Sequence, residues 1–191
     1  MTLDMNCPVC SNKPLDYRTN VLELPYFGET LQVTISCGKC DYRYTDIMIT
    51  QQKEPMRYEM IVDSPDDMSV RVVRSTSGTV RIPELGILIE PGPMSESFVS
   101  NVEGVLERVK KVLVQLERDA AGEEELGAIR DMLSRIDAVK EGCEKVTLSI
   151  DDPFGNSAVI SDKASKRTLS EEEVSRLKTG MFVIDLHVGG A

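Results

Sequence analysis

The sequence predicts an α+β protein. An N-terminal four-cysteine zinc ribbon is followed by a mostly antiparallel β-sandwich, jelly-roll-like, with an inserted helical hairpin. Three observations carry this. Two C-x2-C pairs lie near the start, Cys7 with Cys10 in "NCPVCSN" and Cys37 with Cys40 in "SCGKCDYRY". Short alternating apolar runs, cut by Gly and Pro, follow the second pair and return after residue 145. Between them, two stretches repeat apolar residues at three- and four-residue spacing, the helical period. The expected domains are 1–52 and 53–191, with the helical hairpin at about 100–141.

In the ribbon, 26 residues separate Cys10 from Cys37. That gap is longer than the usual ~15–20 of such motifs, so a longer hairpin should lie between the knuckles. Four thiolates can close a tetrahedron around Zn²⁺ at about 2.3 Å with no other ligand. The start "MTLDMNCPVC" has no charged n-region and no apolar h-region. A cytoplasmic location is therefore expected, which disfavours structural disulfides. A redox C-x2-C needs no second copy, and buried structural cysteines rarely fall into matched pairs. One structural zinc on Cys7, Cys10, Cys37 and Cys40 is the reading, with iron–sulfur or redox use as the alternative. A left-handed residue, often Gly, commonly follows the second cysteine of a knuckle; here Ser11 and Asp41 stand there. "TLQVTIS" and "YTDIMIT" flank the second knuckle as the two strands of a hairpin. In "VLELPYFGE", Pro25 breaks the strand, and the adjacent Tyr26 and Phe27 either pack under the ribbon or present a contact loop.

"QQKEP", residues 51–55, reads as a short linker. Strands are expected in "RYEMIVDS", "SVRVVRST" and "TVRIPELGILIEPGP", the last interrupted by Pro83 and Gly86. The first helix places Val102, Val105, Leu106, Val109, Val112, Leu113 and Leu116 on one stripe, with Ser100 and Glu103 spaced as a capping box. The second places Leu126, Ile129, Met132, Leu133, Ile136 and Val139 on one stripe and stops at Gly142. Cys143, just beyond, is expected to be a buried structural thiol. "KVTLSIDDPFGNSAVIS" alternates Val146, Leu148 and Ile150, turns, and continues with Ala158 and Ile160. "KRTLSEEEVSRLKTG" reads as a short helix with Ser170 and Glu173 in capping-box spacing, and "MFVIDLHV" as a closing strand.

Charge and composition limit the function. The net charge is −10, with no basic stripe. Residues 1–50 hold four basic side chains (Lys13, Arg18, Lys39, Arg43) against six acidic ones (Asp4, Asp16, Glu23, Glu29, Asp41, Asp46). Phosphate binding by the ribbon is therefore not expected. No run of apolar residues is long enough to span a bilayer, so a soluble chain is expected. There is one histidine, His187, and no phosphate loop, dinucleotide fingerprint, nucleophile elbow or H-E-x-x-H motif. A zinc held by four cysteines keeps no open position for water. An enzyme is not expected. "DDPFGNS" could hold a cation or act in acid/base chemistry, but it has the composition of a turn, and adjacent strand residues point to opposite faces. "SPDDMS", with Asp66 and Asp67, reads the same way.

The order of these motifs resembles the ZPR-type zinc-finger family: a four-cysteine ribbon with "LELPYFGE" between its knuckles, "CGKCDYR", "VRIPELGILIEPG", "VEGVLERV" and "DDPFGNS". Eukaryotic members of that family carry two copies of the unit; this chain resembles the short archaeal members with one. The resemblance implies a protein-binding chaperone whose partner is translation elongation factor one-alpha, a GTPase. It carries the metal ligands onto Cys7, Cys10, Cys37 and Cys40. It offers Tyr26, Phe27, Asp151, Asp152 and Asn156 as partner-contact residues. The alternative is a nucleic-acid-associated zinc ribbon of the transcription or translation machinery.

Overall fold

The computed structural model describes residues 2–92 and 95–179. The chain divides into two compact units, Met1–Gln52 and Lys53–Ala191.

The first unit is one antiparallel sheet in chain order: β1 (Thr2–Leu3), β2 (Leu15–Leu24), β3 (Gly28–Ser36) and β4 (Arg43–Ile49). The long β2–β3 ladder pairs Asp16 with Ser36 at one end and Leu24 with Gly28 at the other. It is the hairpin that the cysteine gap demanded. Only Leu15 of β2 is buried, so the strand has no two-residue apolar period and its sequence conceals it. Pro25, Tyr26 and Phe27 form the β2–β3 turn, with φ +73° at Tyr26 and +71° at Gly28. The cysteine loops lie at the opposite end of this ladder, about 26 Å away at ~3.3 Å per residue. Neither aromatic therefore supports the metal end, contrary to the packing expected from sequence. Phe27 is buried, while Tyr26 is 42% exposed.

The second unit contains a five-stranded and a three-stranded sheet. Its strands are β5 (Met56–Val62), β6 (Arg71–Arg74), β7 (Thr79–Ile82), β8 (Ile87–Ile89), β9 (Phe98–Asn101), β10 (Val146–Asp152), β11 (Ala158–Ile160) and β12 (Ser165–Thr168). The large sheet runs β12-β5-β10-β7-β8 and the small one β11-β6-β9, with every described pairing antiparallel. The helices α1 (Val102–Asp119) and α2 (Glu123–Lys140) form the hairpin, and α3 (Glu171–Ser175) follows β12. One core joins Met60 and Val62 of β5, Val72 of β6, Val80 and Ile82 of β7, Leu148 and Ile150 of β10, Leu106 of α1 and Ile136 of α2. β10 is central, so Ser149, Asp151 and Asp152 are buried along with its apolar residues. This covering of both faces is what a simple alternation cannot foretell.

Several local expectations change. The N-cap of α1 is Asn101, whose side chain accepts from the Gly104 N–H at 2.8 Å; Ser100 belongs to β9. Val112 and Leu116 continue the apolar stripe of α1 but are 57% and 47% exposed. In β11 the buried residue is Val159, and Ile160 faces out. "SKRT" is the exposed edge strand β12 rather than the start of a helix. α3 begins only after Ser170, whose reciprocal capping box with Glu173 is formed. Cys143 is exposed. The Gly142 N–H bonds to Val139 O and the Cys143 N–H to Ala138 O, a Schellman turn that carries Cys143 out of the core. "QQKEP" is not free along its whole length: Lys53 N–H donates to Phe154 O at 2.9 Å, and Pro55 O accepts from Leu169 N–H at 2.9 Å. The strand expected in "MFVIDLHV", with His187, lies outside the described residues.

"SPDDMS" forms a 3-10 turn, Pro65–Ser69, organised by buried Asp67. Its carboxylate accepts from the N–H groups of Asp63 and Ser64, from the Ser64 hydroxyl, and from Lys163 Nζ at 2.9 Å. Burial pushes the Asp67 pKa up, but Lys163 and the three local donors outweigh it and hold it at about 2. An unfolded Asp titrates near ~3.9, so the folded state binds fewer protons between the two values. The contribution is therefore complete above pH ~4 and drains away as pH falls toward 2. Asp67→Asn should cost on the order of 1–2 kcal/mol in urea denaturation at pH 7, with the gap to the parent narrowing at pH 2.5.

Candidate metal centre

The four cysteines converge because two loops point the same way from one sheet. Cys7 and Cys10 occupy the β1–β2 loop, and Cys37 and Cys40 the β3–β4 loop. Each loop is locked by its own backbone. Cys7 N–H donates to Asn12 O at 3.0 Å and Ser11 N–H to Cys7 O at 2.9 Å, while Cys37 N–H donates to Tyr42 O at 3.0 Å. The Lys39 N–H points at Cys37 Sγ, 3.4 Å away. Beneath the sulfurs, Leu15 is buried, and Ile35 and Tyr42 pack against the cluster.

The Cys7–Cys40 and Cys10–Cys37 sulfurs are 3.6 Å apart, and all four lie within 4.8 Å of one another. A disulfide would need about 2.05 Å. A tetrahedron with ~2.3 Å bonds to zinc has sulfur–sulfur edges of about 3.8 Å. The cage's 3.6 Å edges are close to those a zinc tetrahedron needs. Its electrostatics also call for a cation. The N–H groups of Lys39 and Cys40 pull the Cys37 thiol down to about 6. At Cys40 the Tyr42 N–H favours the thiolate, yet burial and the three facing sulfurs prevail and push it up to about 12. Four sulfurs this close cannot all carry charge alone. A divalent ion held by Cys7, Cys10, Cys37 and Cys40 would supply the missing positive charge and tie the two loops together.

Ser11 adopts φ +57°, the left-handed conformation expected after the second cysteine of a knuckle; Asp41 is not among the positive-φ residues. Glycine enters that region without the Cβ penalty. Ser11→Gly should stabilise the metal-loaded first unit by up to about 1 kcal/mol, tightening metal retention against a competing chelator by roughly fivefold.

The "DDPFGNS" segment is the other concentrated polar cluster, and it is internal. Asp151 takes a two-pronged bond from Arg57 at 2.5 and 2.6 Å and lies 3.4 Å from Arg81. Asp152 accepts five hydrogen bonds: from the hydroxyls of Ser75, Ser77 and Ser157 at 2.6–2.7 Å, and from the N–H groups of Phe154 and Asn156 at 2.9 and 3.0 Å. The two carboxylates engage separate partners, as their opposite strand faces require. Asp151, Asp152 and Asn156 are all buried. The carboxylates of Asp151 and Asp152 are taken up by contacts within the second unit. Of the residues offered as partner contacts, Tyr26 is exposed and Phe27 is not. The serines that complete the Asp152 cluster were invisible in the sequence, because Ser75 and Ser77 precede Asp152 by more than seventy residues.

A four-sulfur ribbon in one unit, with antiparallel sheets and a helical hairpin in the other, is the make-up of a zinc-finger protein. Residues 1–55 match the ZPR1 zinc-finger domain and residues 66–180 the ZPR1 jelly-roll domain. The chain belongs to the ZPR1 family. It is 44% identical over 183 residues to uncharacterized ZPR1-like proteins of Pyrococcus horikoshii (94% of this chain, 82% of that one) and Methanocaldococcus jannaschii (95% and 92%). It is also similar to the zinc finger chaperone zpr1 of Schizosaccharomyces pombe, 28% identical over 162 residues. Those residues span 82% of this chain and 35% of the yeast protein. No helix among the described residues is long and apolar enough to cross a membrane.

Proposed function

We propose that this chain is a zinc-stabilised, cytoplasmic, non-enzymatic chaperone that binds translation elongation factor one-alpha, a GTPase, as that protein folds. The observation that carries the reading is the all-sulfur cage. Four thiolates fill a tetrahedral ion's coordination, so the metal's work is to shape a binding module. The name of the fission-yeast relative, a zinc finger chaperone, supports the chaperone class. The acidic balance of the chain weighs against a nucleic-acid partner. The test is refolding of denatured elongation factor one-alpha in the presence of the zinc-loaded chain. The expected result is a several-fold higher yield of factor that binds GTP, lost with the double variant Cys37→Ser, Cys40→Ser. An unchanged yield, together with no binding to the refolding factor, would overturn the proposal. Salt-dependent RNA binding at physiological ionic strength would favour the nucleic-acid alternative.

A further inference from the structure

The strand register of the first unit sorts its side chains onto two unlike faces. Residues paired across an antiparallel ladder share a face. Tyr17, Ile35 and Tyr44 therefore lie together, followed by Thr19, Val33 and Asp46, by Val21 and Leu31, and by Glu23 and Glu29 toward the hairpin turn. The opposite face carries Asp16, Ser36 and Arg43, then Arg18, Thr34 and Thr45, then Asn20, Gln32 and Ile47. The first face is largely apolar and the second largely polar.

The apolar face is accessible. Val21 is 65% exposed and Tyr44 43%. Leu31, Val33 and Ile35 are only half-buried, although β3 has a neighbouring strand on each side. Central-strand residues beneath a packed layer are fully buried. The face begins at the metal end, where Ile35 packs against the cluster of Leu15 and the cysteines.

Charge indicates what covers it. Glu23, Glu29 and Asp46 are exposed on this face. Among the described residues of β2, β3 and β4, no lysine or arginine shares it, because Arg18 and Arg43 project from the other side. A covering surface without cations would desolvate like charges with nothing to compensate them. A second copy stacked by the same face would bring the same three carboxylates again, so self-association runs against the charge. Dimensions agree with a helix. From Tyr17 to Glu23 the face is about 20 Å long at ~3.3 Å per residue, and three strands make it about 10 Å wide. A helix of about 14 residues is ~21 Å long and ~10 Å across.

We propose that this face of the ribbon is the docking site for a basic amphipathic helix of a partner protein. The helix lays its apolar stripe on Val21, Leu31 and Val33, and its flanking lysines or arginines meet Glu23, Glu29 and Asp46. The inference rests on reading the chain as a protein-binding module and holds for whichever protein supplies the helix.

Two synthetic helices of about four turns test it against the zinc-loaded full chain, with fluorescence anisotropy at physiological salt. Both carry one leucine stripe, flanked by lysine in the first and by glutamate in the second. The lysine helix should bind at least about tenfold tighter than the glutamate helix. Val21→Asp should weaken its binding about tenfold, even though the chain becomes more acidic; an unspecific attraction to negative charge would tighten it instead. Glu23→Lys with Glu29→Lys should remove the preference between the helices. Arg18→Glu, on the other face, should change Kd less than about twofold. One zinc per chain in each variant shows that the ribbon is folded. Equal binding of the two helices, binding of neither, or unchanged or tighter binding by Val21→Asp would overturn the proposal. So would a dimer that Val21→Asp dissociates, which would give the face to a second copy. The elongation-factor refolding assay is read separately. Selective binding of the lysine helix without improved refolding overturns only the chaperone reading; improved refolding without helix binding overturns only this inference.

Discussion

Stripping the metal with a chelator should unfold residues 2–52 and leave the second unit folded. The reason lies in what holds each unit together. The metal-end cluster of the first unit has three buried members, Cys7, Leu15 and Cys37, and two of them are ligands. The second unit has an extensive aliphatic core across both sheets and both helices. A structural zinc site contributes about 10–16 kcal/mol of apparent binding free energy near neutral pH, more than the roughly 4–9 kcal/mol that Leu15, Ile35 and Tyr42 together can supply by burial at ~1.5–3 kcal/mol each. Metal removal, or Cys37→Ser with Cys40→Ser, should therefore abolish amide protection in β2 and β3; metal removal should open all four cage thiols to a thiol reagent, and the double variant its remaining two, Cys7 and Cys10. The urea transition of the second unit should not move. Elemental analysis should return one zinc per chain. Persistence of the β2–β3 ladder without metal would show that the sheet needs no cage.

The second large effect is expected at Asp152. This residue is completely buried and receives three hydroxyls and two backbone N–H groups. Asp152→Ala leaves five donors without this acceptor, four of them buried. At ~1–3 kcal/mol for each group that water cannot reach, the loss should be about 4 kcal/mol or more, even with partial relaxation. Asp152→Asn restores shape but turns an amide NH2 toward donors, and should cost nearly as much. The readout is the urea midpoint of the second unit, with metal content unchanged. A loss under about 1 kcal/mol would mean that water replaces the carboxylate and that the cluster is not structural.

The cysteines were readable because metal ligation demands a spacing that few other pressures produce. The helical hairpin was readable because its long amphipathic periods need no partner to be recognised. What stayed hidden depended on distant segments. β2 shows no period because one residue of the strand is buried. Asp151 and Asp152 look like a hydrophilic turn until Arg57 and Arg81 arrive from β5 and β7, and Ser75 and Ser77 from the β6–β7 turn. Ser100 and Glu103 have the spacing of a capping box, yet Ser100 is held in the β6–β9 ladder opposite Val72, and the adjacent Asn101 caps the helix instead. Tyr26 and Phe27 are neighbours in sequence, but a left-handed Tyr26 turns one outward while the other is buried.

The contacts of residues 53–55 bear on how the molecule can be cut. Gly155 has φ +64°, and a side chain there would overlap the carbonyl oxygen of Glu54. The bonds from Lys53 to Phe154 and from Leu169 to Pro55 close the same seam. A recombinant fragment starting at Lys53 keeps that seam, whereas one starting at Met56 uncovers the backbone of Phe154 and Leu169. The difference of three residues should separate a well-behaved isolated C-terminal half from one that frays at its sheet end.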